Sequence, residues 1–332
     1  MSGLWTWYRV SSEAEDPWSG LVPALAKHGL VLLDRVRGPD DLLRLASSIA
    51  TVVPHRDSDS SGLTTIADVG GRVRSGFAGF SACALNPHTD RSGTVDPPIL
   101  LMMVCGQTAS SGGECVVIDG KAVYEDLAGS NPESLTALSA PRSVLFGGAA
   151  GHLGSIFTRM TNRFTIRLRL DELVQFSPDV TRQLPALRAA IDRHAQTFSL
   201  DAGQGYILDN YRWLHGRRAF TGQRVMYRVT GNPLPHLGIT PGFEPTPAPT
   251  LELQPAGDQR SHITWLLSPW DHLVHAFPDE KIGDVVAEAL CEHSATAHRL
   301  SDDEGGRKCL ACLLLHGDEL AGPQGEMNRW SR

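Results

Sequence analysis

Residues 97–120 read PPILLMMVCGQTASSGGECVVIDG, two short apolar runs (ILLMMVC and CVVID) separated by glycine, serine and threonine. Runs of this length suit a buried strand or a piece of buried helix, and the proline and glycine flanks decide for strands. The same punctuation extends both ways. Upstream lie LTTIADV (63–69) and FAGFSACAL (77–85); downstream, past a helical or irregular insert over 121–138, lie SVLFGG, RFTIRLRL, GQGYILDN and QRVMYRVTG. Before them, Gly29 to Val36 reads as a buried strand entered from a short helix over Val22 to Lys27. Pro39 and two aspartates open an amphipathic helix in DDLLRLASSIATVV, and a further helix is expected over Leu184 to Gln196. Many short strands with few strand-helix-strand alternations predict a mainly β fold with flanking helices (α+β), a jelly roll or barrel rather than a doubly wound sheet.

The chain has 332 residues, 41% hydrophobic and 20% charged, which fits a folded globular protein and excludes disordered or fibrous classes. A formal charge of −7 leaves no basic footprint for phosphate backbones, so nucleic acid is not an expected partner. No apolar run is long enough to span a bilayer, and MSGLWTWYRV lacks the order of a secretory signal; cytoplasmic residence is the expectation. Pro241 to Asp258 is rich in proline and reads as a linker, which divides the chain into 1–240, a linker 241–259 and an extension 260–332.

The segment Asn86-Pro87-His88-Thr89-Asp90-Arg91-Ser92-Gly93 carries the chemistry. Residues two apart on an extended strand share a face, so His88 and Asp90 offer an imidazole and a carboxylate to one ion. A third donor is His215 in LDNYRWLHGRRAF. Two histidines and a carboxylate on one face of an octahedral metal leave three positions open, the arrangement used by non-haem iron(II) oxygenases. Arg224 and Arg228 follow in QRVMYR, a cationic pair suited to a dicarboxylate cosubstrate. His55 and His152 read as structural or substrate-lining, His28 as a helix C-terminal cation, and Trp213 and Tyr211 as packing residues.

Through PHTDRSG, GGECVVIDG, LDNYRWLHGR and RVMYR, in that order, residues 29–233 resemble the taurine dioxygenase and clavaminate synthase-like superfamily of iron(II)/2-oxoglutarate-dependent oxygenases. The resemblance implies a double-stranded β-helix core, His88, Asp90 and His215 as iron ligands, and 2-oxoglutarate and dioxygen as cosubstrates. It implies that Arg224 binds the far carboxylate of 2-oxoglutarate and that Arg228 faces an acidic group of the substrate or balances an acidic neighbour. Cys115 stands where the family has a cosubstrate-binding threonine, and a thiol is the weaker donor. The implied activity is hydroxylation of an unactivated C–H bond in a small molecule, an amino acid or derivative in specialised metabolism, with release of succinate and carbon dioxide. Desaturation or cyclisation with the same cofactors, or a non-catalytic cupin-like regulator, are the alternatives; Asp90 argues against halogenation.

Cysteine usage separates the extension from the rest. Cys309 and Cys312 form a C-x-x-C knuckle, Cys291 precedes it, and His275 completes a set that resembles small zinc-binding modules. His293 is the rival fourth ligand, ahead of His298 and His316. A short extension has little core of its own and gains from a metal staple; three free thiols on a docked helical extension are the other reading.

Overall fold

The computed structural model describes residues 7–9, 20–70, 76–149, 151–246, 262–283, 285–302 and 306–313. The chain divides into two compact units, 1–247 and 248–332. It is a mixed α/β protein, mostly strands with a few helices. No helix among the described residues is long and apolar enough to cross a membrane.

The first unit is organised by two sheets. The larger runs Trp7–Arg9, Leu30–Asp34, Gly205–Asp209, Leu100–Gln107, Val225–Pro233, Ala50–Val52, with Thr64–Ala67 also paired to Val225–Pro233. The smaller runs Gln196–Phe198, Cys115–Asp119, Trp213–Arg217, Leu85–His88 and is antiparallel throughout. The apolar run at 100–105 has no polar alternation because both of its faces are covered. Leu100, Met102 and Val104 pack with Leu42, Leu45 and Ile49 of the helix Pro39–Ile49 and with Leu21 and Leu25 of the helix Leu21–His28. Leu101, Met103 and Cys105 point the other way and pack with Cys115, Val117 and Trp213 of the smaller sheet. The outer face of that sheet, Ile118 and Leu214, is covered by residues of the helices Gly120–Ser130, Pro132–Ser139 and Pro178–His194. Helices, sheet, sheet and helices therefore form successive layers, and the inter-sheet layer holds the site.

Three local expectations change. The helix beginning at Pro39 ends at Ile49, and Ala50–Val52 leaves it as a strand paired to Gly231–Pro233. The helix expected from Leu184 begins at Pro178, where Ser177 Oγ accepts from the Val180 amide at 3.3 Å, and Pro185 sits inside it. Of the expected linker, residues 241–246 belong to the first unit: Phe243 is buried, its backbone pairs with Phe164, and the Gly242 amide donates to Asp209. Residues 247–259 lie outside the described residues.

The second unit pairs Ile263–Leu267 with Val274–Pro278 and Ser301–Asp302, and forms a hairpin of Val286–Glu288 and Ser294–Thr296. Its buried apolar residues, among those described, are Val274, Ala276, Phe277, Ala287, Ala289, Ala295 and Cys312. Four alanines, one valine and one phenylalanine bury little apolar area.

Candidate active site

Strands Leu85–His88 and Trp213–Arg217 run side by side, with His215 directly opposite His88 and the two rings 4.2 Å apart. His88 Nδ1 lies 2.9 Å from the Asn86 carbonyl oxygen, which can only accept. The proton is thereby fixed on Nδ1, and Nε2 keeps its lone pair. Asp90 is not on the strand; it sits two residues past the strand end, in a turn whose Arg91 has φ 55°. Asn210 holds that turn, its Oδ1 accepting from the Asp90 amide at 2.7 Å and its Nδ2 donating to the carbonyls of Asp90 and Pro98, each at 3.0 Å. Asp90 Oδ1 meets Arg228 Nη1 at 3.4 Å. Asp90 Oδ2 and His215 Nδ1 are buried with no partner among the described residues.

Burial pushes both imidazoles below the usual histidine range, His215 well below it, and for His88 this outweighs the upward pull of Asp90. Burial would raise Asp90, but the Arg228 guanidinium is the chief charge holding it below the ordinary carboxylate value. At neutral pH the set is two neutral imidazoles and one carboxylate.

Arg224 precedes the strand Val225–Pro233, and the register of that strand shifts between Val225 and Met226. Arg224 is 8% exposed, and among the described residues the polar neighbour of its guanidinium is the Cys115 sulfur at 4.0 Å. Gly113, at φ +79°, makes room for it: a Cβ there would stand 3.1 Å from Arg224 Cδ. Burial pushes the Cys115 thiol up to about 11, although Arg224 pulls the other way. Arg228 Nε and Nη2 are buried without partners among the described residues.

His88, Asp90, His215, Arg224, Arg228 and Cys115 line one cavity of about 900 Å³, a volume suited to a small ligand. His55 also lines it, pushed below the usual histidine range by burial and then by Arg228. His152 lies on the strand His152–Gly154, and is not among the lining residues. Trp213 donates from Nε1 to the His28 carbonyl at 3.0 Å and Tyr211 from its hydroxyl to the Pro97 carbonyl at 3.0 Å, so both serve packing. Lys27 and His28 close the helix Leu21–His28 before Gly29 at φ 67°.

Four residues of the site are not singled out by the sequence. Asn210 follows Asp209 in LDNYRW, and its type and position there are the available signal. Arg217, from the HGRR step, is buried and donates to the carbonyls of Gly79, Ser81 and Cys83 at 3.2, 2.5 and 2.6 Å, clamping that loop against the cavity. Arg169 and Asp171, a bidentate pair at 2.7 and 2.6 Å, line the same cavity from the stretch that follows the strand Arg163–Ile166.

In the second unit, His275, Cys291, Cys309 and Cys312 bring four ligand atoms within 4.8 Å of one another. His293 belongs to a different group, with Asp271 and His275. His298 lies in the turn Ala297–Arg299 outside both groups, and His316 lies outside the described residues.

Two facing sheets with paired imidazoles, a carboxylate and a buried guanidinium in one cavity define a non-haem iron(II)/2-oxoglutarate-dependent dioxygenase. Residues 8–230 match the family described as "Taurine catabolism dioxygenase TauD, TfdA family", and the chain belongs to it. Similar solved structures include asparagine oxygenase AsnO, with 15% identity, a TM-score of 0.50, and 68% of this chain and 83% of that chain covered. The non-heme iron oxygenase OrfP is similar at 16% identity and a TM-score of 0.50, over 64% of this chain and 81% of that one. An OrfP variant in complex with (3S)-hydroxy-L-Arg gives 17% identity, a TM-score of 0.50, and 64% and 80% coverage. These likenesses are of fold.

Proposed function

We propose that the first unit is an iron(II)/2-oxoglutarate-dependent hydroxylase of a small carboxylate-bearing amino acid or amino-acid derivative, on a double-stranded β-helix. The observation that carries this reading is the joint one: two imidazoles and a carboxylate line one cavity, with Arg224 lining the same cavity and no carboxylate paired with it among the described residues. The donor set fits iron(II): the residues are two neutral nitrogens and a carboxylate oxygen, and buried Asp90 Oδ2 and His215 Nδ1 have unmet valence among the described residues. His88, Asp90 and His215 would hold the metal. Iron(II) with 2-oxoglutarate and dioxygen supplies the oxidising chemistry, releasing succinate and carbon dioxide.

The chain's own residues position and insulate. The Asn86 carbonyl keeps the His88 proton on Nδ1, and Asn210 fixes the turn from which Asp90 projects. Arg224 binds the far carboxylate of 2-oxoglutarate, with Cys115 a weak neighbour where the family has a threonine. Arg228, with two unpaired donors, takes an acidic group of the substrate while its third nitrogen stays near Asp90. Apolar Ile66 and Met103 line the cavity and exclude water. An amino-acid substrate is in keeping with the asparagine oxygenase and with the hydroxyarginine-bound OrfP variant. We read the Cys/His cluster of the second unit as a separate, structural metal site.

The test is anaerobic addition of iron(II) and 2-oxoglutarate, followed by succinate formation in air with a panel of amino acids. The wild-type protein should show the weak visible charge-transfer band of a chelated keto acid, and His88→Ala, Asp90→Ala and His215→Ala should each lose it. Unchanged bands and unchanged succinate release in all three variants sink the assignment.

A further inference from the structure

We propose that the second unit is built around one structural zinc ion held by His275 Nδ1 and the sulfurs of Cys291, Cys309 and Cys312, with Asp271 as a positioning residue. The distances are those of a tetrahedron about to close. Zn–S of about 2.3 Å and Zn–N of about 2.0 Å place tetrahedral sulfurs about 3.8 Å apart and a nitrogen about 3.5 Å from each sulfur. His275 Nδ1 lies 3.2 Å from Cys291 Sγ and 3.7 Å from Cys312 Sγ, and Cys291 Sγ lies 4.0 Å from Cys309 Sγ. The thiols are free, not disulfide-bonded.

Backbone amides are directed at two of the sulfurs: those of Ala311 and Cys312 at Cys309, and that of His293 at Cys291, whose thiol burial and the neighbouring sulfurs nonetheless push up to about 12. Glu292, at φ 66°, turns the backbone so that the latter amide faces back. The Cys309 amide donates to the Val274 carbonyl at 2.9 Å, and the Cys309 carbonyl accepts from Leu313 at 3.0 Å, so the knuckle is tied to the strand that carries His275. Cys312 is fully buried and His275 2% exposed.

His275 is oriented from behind. Its Nε2 donates to Asp271 Oδ2 at 2.9 Å, which leaves Nδ1 as the lone-pair nitrogen facing the thiols. A carboxylate behind a ligating imidazole fixes its tautomer and raises its basicity. His293 stacks on His275 at 4.1 Å and 5°, and its Nε2 is engaged by Ser268 Oγ at 2.9 Å. It is a packing partner here and not a ligand. The energetic reason for a metal is the small core: among the described residues the buried apolar side chains are four alanines, Val274, Phe277 and Cys312, with larger side chains such as Trp265 and Leu266 only partly buried.

The experiment is metal analysis of the full chain purified without added zinc, in an Asp90→Ala/His215→Ala background so that the first unit's site cannot hold the metal counted. About one zinc per chain is expected. Cys309→Ser/Cys312→Ser should reduce it at least tenfold, and His293→Ala should leave it. Asp271→Asn should keep the zinc but speed its loss to a chelator by roughly 10–100-fold. Because the double serine variant can misfold, cobalt(II) exchanged into the unsubstituted cluster provides a second reading, with an intense sulfur-to-metal absorption band expected. A metal-free protein with all three thiols titratable, or cobalt without that band, overturns the proposal. Zinc that survives in the double serine variant but leaves with His293→Ala overturns it too, in favour of Asp271, His275 and His293. None of these readouts uses 2-oxoglutarate turnover, so the iron assignment stands or falls separately.

Discussion

Two groups of metal-type donors occupy the chain, and they are prepared differently. In the extension, four ligand atoms already lie within 4.8 Å of one another, backed by Asp271 and by backbone amides. In the first unit, His88, Asp90 and His215 are not gathered so tightly, and Asp90 Oδ1 is turned toward Arg228. The extension's cluster combines buried His275 and Cys312 with half-buried Cys291 and Cys309, whereas the first unit's set opens on a cavity of about 900 Å³ lined by several arginines. A closed set of four protein ligands is what a structural zinc needs; three ligands beside open space are what a reacting metal needs. Position in the fold follows: the cluster substitutes for core in a unit that has little, and the triad sits where two sheets already supply one.

The largest expected effects separate the two sites outright. Alanine at His88, Asp90 or His215 should lower 2-oxoglutarate turnover by a factor on the order of a thousand or more, since the metal carries the chemistry, while zinc in the extension is unchanged. Serine at Cys309 and Cys312 should do the converse, removing zinc with part of the turnover retained. Cross-loss, in which either set of substitutions empties both sites in metal analysis, breaks the comparison.

Next in size is Arg224→Leu. Losing a charge-assisted contact in a buried site costs on the order of 2–5 kcal/mol, roughly 30- to several thousand-fold in the 2-oxoglutarate requirement. Arg228→Leu should instead act on the amino-acid substrate, and also weaken metal retention modestly because Asp90 loses its cation. Steady-state titration of each cosubstrate with both variants decides, and the opposite pattern exchanges the two roles.

How far the chain could be read before its fold was known follows from the range of the interactions involved. The strand at 100–107 was legible because burial on both faces suppresses alternation, a local signature. His88, Asp90 and His215 were legible as types in order, yet the sequence could not say that Asp90 leaves the strand, since Asn210, 120 positions away, decides it. Ala50–Val52 was read as helix because its partner, Gly231–Pro233, lies far along the chain. The HGRR pair offered two arginines, and only tertiary packing selects Arg217 for the loop carbonyls of 79–83. In the extension, the C-x-x-C spacing and His275 are visible in the sequence, whereas the approach of His275 Nδ1 to the Cys291 and Cys312 sulfurs comes only with the fold.

A third prediction assigns pH sensitivity to the first unit. Asp209 is fully buried, and burial raises its carboxyl to about 7 despite the amides of Tyr211 and Gly242 donating to it. The unfolded value is near 3.8, so between about pH 4 and 7 the folded form holds a proton that the unfolded form does not. Stability from this group is therefore full below pH 4 and declines as pH rises toward 7, by about 1.4 kcal/mol per pH unit. Thermal melts at pH 5, 6 and 7 should show that decline, and Asp209→Asn should flatten it. Equal slopes in the two proteins mean that the two amides keep Asp209 ionised. The extension should respond to chelator instead of to this titration.

The smallest effect compares the thiols themselves. Cys115 is a buried thiol raised to about 11 by burial, packed with Cys105 and Met103 and with the Arg224 guanidinium 4.0 Å away; Cys309 has neighbouring sulfur and backbone amides. One therefore stays protonated and weakly polar while the others are disposed to ligate. Cys115→Thr replaces the thiol by a hydroxyl of similar size, a stronger donor for a carboxylate held by Arg224. A net hydrogen bond of about 0.5–1.5 kcal/mol predicts a two- to tenfold lower 2-oxoglutarate requirement with zinc content untouched. A requirement that rises instead, with the fold intact by circular dichroism, shows that the cavity is packed for sulfur and that the cosubstrate lies beyond reach of position 115.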